Sequence, residues 1–566
     1  MKLTGLLFAA ALLGSCTQPA AEENYTRHVD PKIGTGGHGH VFVGANVPFG
    51  LVQVGPTSIP QTWDWCSGYH ASDSTVIGFS HTHLSGTGIG DLFDVTVMPV
   101  TGDVTYARGE EADPASGLWS YADRTQEIAR PGYYSVPLTR YGIRAELTAT
   151  ARVGLHRYTF PASEKAAVVF DLENGGCWDK ATETHLAKEG DRTVTGWRHS
   201  TGWAKDQRVY FAAEFSKPFE KFETIGDNYA RASFRTTDGE QVSLKVALSP
   251  VSVEGARENL AAELPGWDFE ETAKAADKAW NDELSKVKIE TADETARRIF
   301  YTALYHTMIA PSLFCDVNGD YYGSDHAIHR NAGFTNYTTF SLWDTYRAAM
   351  PLMTVLHPEK MADIVQTMLT ISDEQGRLPV WHLWGNETDC MVGNPGIVAV
   401  ADAIVKGIGG FDREKAFEAI RKTAMNPDRG NGLRMEYGYI PCEMFNEAVA
   451  YDMEYALADG AAARAAETLG KAEDAKYFEE RSHSYRNYFD PQTGFMRGRD
   501  LKKGWRTPFN AFASTHRADD YCEGNAWQYT WLAPHDVAGL VGCFGSRARM
   551  LEKLDSLFTV SSVGEG

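Results

Sequence analysis

Cysteine motifs are missing from this chain. Cys66, Cys177, Cys315, Cys390, Cys442, Cys522 and Cys543 are scattered, odd in number and never at CxxC spacing. That excludes a zinc ribbon and a disulfide-built scaffold, leaving one or two bridges open with no readable pairing. A basic surplus is missing too: 54 Lys and Arg stand against 75 Asp and Glu, a formal charge of −21. Nucleic-acid phosphates, which need Lys and Arg, are therefore not its partners. Beyond the N-terminus no apolar run is long enough to span a bilayer. The glycine-rich stretch Gly78–Gly88 carries Ser80 and Ser85 but no Gly-x-Ser-x-Gly, so no nucleophile elbow sits there.

What the chain does have is length and rings. At 566 residues it predicts two large domains. Aromatics make up 12% of it, with 14 Trp, a content that suits sugar binding and a large core alike. Lys2, the apolar Leu6–Leu13 and the small residues before Cys16 read as an export leader over 1–22. The Leu13-Gly14-Ser15-Cys16 run resembles a lipobox, which would lipidate Cys16 and place the protein in the periplasm or outer membrane of a Gram-negative bacterium. Ordinary cleavage with Cys16 discarded is the alternative.

Residues 23–262 read as a β-sandwich. Ala166–Leu172 and Arg208–Phe215 are strand runs, and Tyr229–Phe234 with Gln241–Val251 predict a hairpin broken at Asp238-Gly239. After Pro265 the period changes. Phe269, Ala273, Ala276, Trp280 and Leu284 predict a linker helix within 263–288. From 289 to 566 helical stripes alternate with loops rich in aromatics and carboxylates, at Phe340–Arg347, Arg377–Gly396, Tyr437–Asn446 and Tyr521–Gln528. That rhythm predicts an α/α toroid, with a plain helical array as the alternative. Six helix pairs need about 350 residues, so the toroid is expected to be incomplete within 289–566.

Three constellations carry chemistry. Glu523 stands among Tyr521, Asn525, Trp527, Gln528 and Tyr529. A lone carboxylate among rings is how a site keeps an acid protonated, and amides match the donor–acceptor character of sugar hydroxyls. In Trp343-Asp344-Thr345-Tyr346-Arg347, Asp344 either accepts from sugar hydroxyls or caps a helix. In Trp381–Asp389, Trp384 and Glu387 shape a substrate pocket, or Glu387 serves as base, metal ligand or cap. His38 with His40, and His81 with His83, stand two apart. They either ligate a metal or hydrogen-bond loops.

Taken in order, Gly-His-Val-Phe-Val-Gly-Ala from Gly39, Gly-Phe-Ser-His-Thr-His-Leu-Ser-Gly-Thr-Gly from Gly78, Trp-Asp-Thr-Tyr-Arg from Trp343, Trp-Gly-Asn-Glu-Thr-Asp from Trp384 and Glu-Gly-Asn-Ala-Trp-Gln-Tyr from Glu523 resemble glycoside hydrolase family 92. These are the bacterial exo-acting α-mannosidases, and the resemblance runs from about Val29 to the last residue. It implies a β-sandwich packed on an (α/α)6 barrel with the site between them, calcium dependence and inversion. It implies Glu523 as general acid and Asp344 as a sugar ligand, with Trp343, Trp63, Trp65, Trp384, Glu387, Asn525 and Gln528 as further substrate contacts. Asn525 and Gln528 are also the expected Ca2+ ligands. The expected substrates are mannose-ended N-glycans or mannan, with α-1,2 linkages. The family's His-Gly-Asn-Glu-Pro-Ser-His-His and Asp-rich base motifs are not in this sequence. The expectation is therefore a C-terminally shortened member that hydrolyses poorly, the alternative being an inactive homologue that at most binds mannose.

Overall fold

The computed structural model describes residues 23–561. The leader and the Cys16 lipidation expectation lie outside the described residues. Among them no helix is long and apolar enough to cross a membrane.

Two facing antiparallel sheets form the N-terminal lobe. One has six strands in the order Gly55–Thr57, Gly78–Ser80, Thr96–Thr101, Ser163–Asp171, Tyr229–Thr236, Lys221–Ile225. The other has eight, running Lys180–Glu189, Thr193–Thr201, Gln207–Phe215, Glu240–Ser249, Val153–Phe160, Ile143–Ala149, Tyr133–Leu138, Ile128–Arg130. Their inner faces share one apolar core that includes Val97, Val168, Phe170, Phe211, Phe215 and Leu244. Ala166–Phe170 is apolar at every position because its strand is central and covered on both faces.

The hairpin expectation is corrected here. Tyr229–Thr236 pairs with Ser163–Asp171 in the first sheet, whereas Glu240–Ser249 pairs with Gln207–Phe215 and Val153–Phe160 in the second. The Asp238-Gly239 turn, with Gly239 at φ 76°, hands the chain from one sheet to the facing one. Alternating apolar residues mark a strand with one buried face; they do not say which sheet it joins.

Two helices lead out of the sandwich, Val253–Glu263 and Phe269–Leu284. Asp268 caps the second by accepting from the Glu271 amide. Its buried stripe, Phe269, Thr272, Ala276, Trp280 and Leu284, faces the rest of the protein, and the Trp280 indole donates to the Asn46 carbonyl at 2.7 Å. The second lobe is helical. Its helices pack as pairs, including Ala349–Leu356 with Pro358–Gln375, Pro395–Val405 with Arg413–Ala424 and Ala448–Thr468 with Ala472–Arg481. Ala448–Thr468 is buried along most of its length, and its many alanines permit close approach of the neighbouring helices. The lobes are stitched by the Phe49 amide on the Met308 carbonyl at 2.8 Å and by a two-way pairing of Asp206 and Asn386, each bond 3.0 Å.

Candidate active site

Two of the rich loops build the floor between the lobes. Phe340–Ser341, Trp381–Leu383 and Asn386–Glu387 form a small three-stranded sheet, and the one-turn helix Leu342–Thr345 follows its first strand directly. Asp344 is inside that turn and Ser341 stands at its cap position, so Asp344 is not the cap. The Ser341 hydroxyl donates to its carboxylate. Behind it lies Glu454, buried on the long helix, which accepts from the Tyr346 hydroxyl at 2.8 Å and from the Arg347 guanidinium. Burial raises the Glu454 carboxyl above its ordinary range, and Arg347 works against that shift. The whole Trp343–Arg347 segment is thus pinned to the helix core.

Glu523 is presented differently. Its backbone is left-handed at φ 46°, a conformation non-glycine residues hold only when the surroundings impose it. Those surroundings are visible: the Tyr529 hydroxyl donates to the Cys522 carbonyl at 2.7 Å, and the Asp519 and Asp520 carbonyls accept from the Glu447 and Ala450 amides. On its other side Asn525 and Gln528 form a capping box. Asn525 Oδ1 accepts from the Trp527 amide and Gln528 Oε1 from the Asn525 amide. The carboxylate is held exposed at a tight corner.

Glu523 and Asp344 line one pocket of about 510 Å3. The sandwich contributes Trp63, Gly86–Ile89 and Trp203; the helical lobe adds Trp381, Cys390, Met391, His516 and Arg517. Trp203 and Trp381 meet edge to face at 4.6 Å across the lobe boundary. The Trp203 backbone is fixed by Asp91, whose carboxylate accepts from the Trp203 and Ala204 amides at 3.0 and 2.8 Å. Burial pushes that carboxyl up to about 6. Trp63 is 49% exposed, and its indole N–H donates to the Gly88 carbonyl at 2.8 Å. Burial also raises the Cys390 thiol, keeping it from being a thiolate nucleophile.

Other expected contacts, Asn525 and Gln528 among them, are not lining residues of this pocket. Trp384 is 1% exposed and packs on Phe314 in the sandwich core, turned inward by a left-handed backbone at φ 48°. Trp65 stacks on His70 and donates to Asp73 at 2.8 Å. The Glu387 carboxylate accepts from the Val380, Trp381 and Asp389 amides at 2.8, 2.9 and 3.0 Å, so it supports Trp381. Trp343 packs against the apolar cluster behind the pocket. The aromatics next to Glu523 in sequence are not its walls either: Tyr521 and Tyr529 are buried beneath it and Trp527 packs on Phe495 and Phe512. Trp203, His516 and Arg517 carry no local signal that marks them as lining, and Trp381 stands out only as part of the Trp381–Asp389 run.

Three of the four paired histidines resolve towards hydrogen bonding, while His40 Nε2 is buried without a hydrogen-bond partner among the described residues. His81 Nδ1 donates to the Val95 carbonyl at 2.6 Å and His83 Nδ1 to the Gln53 carbonyl at 2.8 Å. Burial pushes them down to about 3 and about 4, so both are neutral. His38 pairs with Asp64 beside Trp63. Cys66 and Cys177 are near enough for each thiol to shift the other, a proximity the spacing did not reveal.

A calcium ion takes six to eight oxygen ligands. Asn525 and Gln528 offer the right donor type. Each amide oxygen accepts one capping bond and keeps a second lone pair. Two oxygens make only part of a shell. Among the described residues the one cluster of His and carboxylates with metal-ligand spacing is Asp325, His329 and Glu374, which do not line the pocket.

Residues 255–565 match the glycosyl hydrolase family 92 catalytic domain and residues 28–249 the N-terminal domain of the same family. An α-mannosidase of this family from Bacteroides thetaiotaomicron, solved in complex with mannoimidazole, is 39% identical with a TM-score of 0.92, over 96% of this chain and 75% of that one. An inverting mannosidase of the family from the same bacterium is 30% identical with a TM-score of 0.85, over 94% of this chain and 74% of that one. An uncharacterized secreted glycosidase of Arthroderma benhamiae is 26% identical, over 97% of this chain and 76% of its own length. The chain thus spans about three quarters of these relatives.

Proposed function

This chain belongs to glycosyl hydrolase family 92, and from that premise we propose that it is an exo-acting α-mannosidase that removes terminal α-1,2-linked mannose from N-glycans or mannan with inversion. The observation that carries the reading is the convergence of Glu523, Asp344 and Trp63, from three distant segments, on one pocket between the lobes. A pocket of about 510 Å3 suits a terminal sugar and part of the next.

In this reading Glu523 protonates the leaving glycosidic oxygen while a water, giving its proton to a second carboxylate, attacks the anomeric carbon from the opposite face. The Glu523 carboxyl is exposed and among the pocket's lining groups, which supports a role at the bond to the next sugar. Asp344, fixed through Ser341 and the Glu454-pinned segment, accepts hydrogen bonds from sugar hydroxyls. The rings of Trp63, Trp203 and Trp381 give the pyranose apolar faces and exclude water. Asn525 and Gln528 are the residues that would hold calcium. The ion would supply a hard positive centre for hydroxyl oxygens, and titration of CaCl2 into the protein should be weakened by Gln528→Ala. Export with Cys16 as a lipid anchor completes the proposal.

Inversion is directly testable. Proton NMR during the first minutes of hydrolysis of an α-1,2-mannobioside should show β-mannose appearing first. If α-mannose appears first, the stereochemistry proposed here is wrong.

A further inference from the structure

Trp63 is not the only exposed ring against the Gly86–Gly90 loop. Trp178, 41% exposed, lies on the other side of it. The loop's glycines make room for both. A Cβ at Gly88 would come within 2.6 Å of the Trp63 ring, and one at Gly90 within 2.9 Å of the Trp178 ring. The Trp178 amide also donates to the Gly90 carbonyl at 3.4 Å. One short loop therefore separates two surfaces: the catalytic pocket on the Trp63 side, and on the Trp178 side an open groove of about 710 Å3 along the edge strand Lys180–Glu189.

The mechanism has no use for this groove, yet its chemistry is specific. Glu173, Lys180, Thr182 and Glu183 are exposed along it, beside the exposed face of Trp178. Its arginine, Arg108, is already committed to Asn174 Oδ1 and the Gly175 carbonyl. Carboxylates therefore outnumber the free cation, which disfavours a phosphorylated or otherwise anionic ligand. Acceptors, donors and a flat ring suit a neutral, hydroxyl-rich chain. An exo-acting enzyme must also leave the rest of its substrate outside the pocket, and this groove begins one loop away.

We propose that the Trp178 groove is a distal glycan subsite, which holds neutral sugars two or more residues beyond the bond cleaved at Glu523. This rests on the mannosidase reading above. The groove gives the enzyme a preference for long chains over disaccharides, with Trp178 as the stacking platform.

Calorimetry in a Glu523→Gln background, which prevents turnover, tests this with α-1,2-mannobiose and linear α-1,2-mannotetraose. The tetraose should bind about tenfold tighter, the scale of one well-placed aromatic contact. Trp178→Ala should abolish that gain and leave mannobiose unchanged, while Trp178→Phe keeps part of it. A tetraose no tighter than the biose, or a gain that survives Trp178→Ala, overturns the proposal. Asp344→Ala separates the two readings. If it leaves mannobiose binding intact, the catalytic-pocket reading falls while the Trp178 arm still decides the groove; if neither sugar binds the Glu523→Gln protein with Asp344 in place, both fall.

Discussion

The two walls of the pocket are built from different materials. The sandwich wall is rings and backbone: Trp63, Trp203 and the Gly86–Ile89 loop, with no charged side chain among its lining residues. The helical wall carries the charge: Asp344, Arg517 and Glu523, with the His516 ring beside them. Neither lobe could hold a sugar alone. The sheets give a rigid apolar surface whose edge loops are short and glycine-rich. The helical lobe gives long loops whose carboxylates are fixed by buried partners. Shape is supplied from one side and chemistry from the other, so substitutions on the two walls should fail in different ways.

The largest expected effect is on the helical wall. Asp344→Ala removes hydrogen bonds to a charged acceptor and should lower kcat/KM about 10²- to 10³-fold without lowering Tm. A loss under about fivefold would remove Asp344 from the sugar contacts. Next comes the support behind it. Glu454→Gln leaves Arg347 and Tyr346 poorly paired and should cost about 1–3 kcal/mol in chemical denaturation, with KM rising as the Asp344 segment loosens. An unchanged KM would uncouple Glu454 from the site.

On the sandwich wall Trp63→Ala should raise KM about tenfold and leave kcat nearly unchanged, because an apolar face binds ground state and transition state alike. A kcat collapse with constant KM would erase the contrast between the walls. The smallest effect is on the pH dependence of stability. His81 and His83 lie behind the sandwich wall at about 3 and about 4, below the ordinary 6.5. Between those values the unfolded state takes up protons that the folded state refuses, so stability is lost as pH falls below about 6.5. His83→Gln should flatten that slope, and an unaltered slope in urea titrations from pH 7 to 5 would show that His83 does not contribute.

Much of this was legible beforehand, and the exceptions have physical causes. The switch from strand alternation to helical stripes located both lobes, since burial on one face imposes a period. Ordered motifs singled out Glu523 and Asp344 because each sits in a local run of unusual density, and the resemblance they carry added Trp63. Trp203 and Trp381 meet only through long-range packing, which no local pattern records. Trp384 was the wrong member of its pair. A left-handed turn sends it into the core while strand geometry leaves Trp381 facing the pocket. Glu387 was expected to shape the substrate pocket because carboxylate density does not distinguish a sugar contact from a clamp on backbone amides. The Asp238-Gly239 turn read as a hairpin because a crossing between sheets uses the same turn residues as a return within one.

The central claim is that Glu523 delivers the proton to the leaving oxygen, and leaving-group dependence tests it most directly. Mannose release should be compared for the native protein and Glu523→Gln on an α-1,2-mannobioside and on 2,4-dinitrophenyl α-mannoside, whose leaving group needs no proton. The expected result is a loss of at least about 10²-fold on the mannobioside with far less on the activated substrate. Equal losses on both substrates, or none on either, would contradict Glu523 as the general acid.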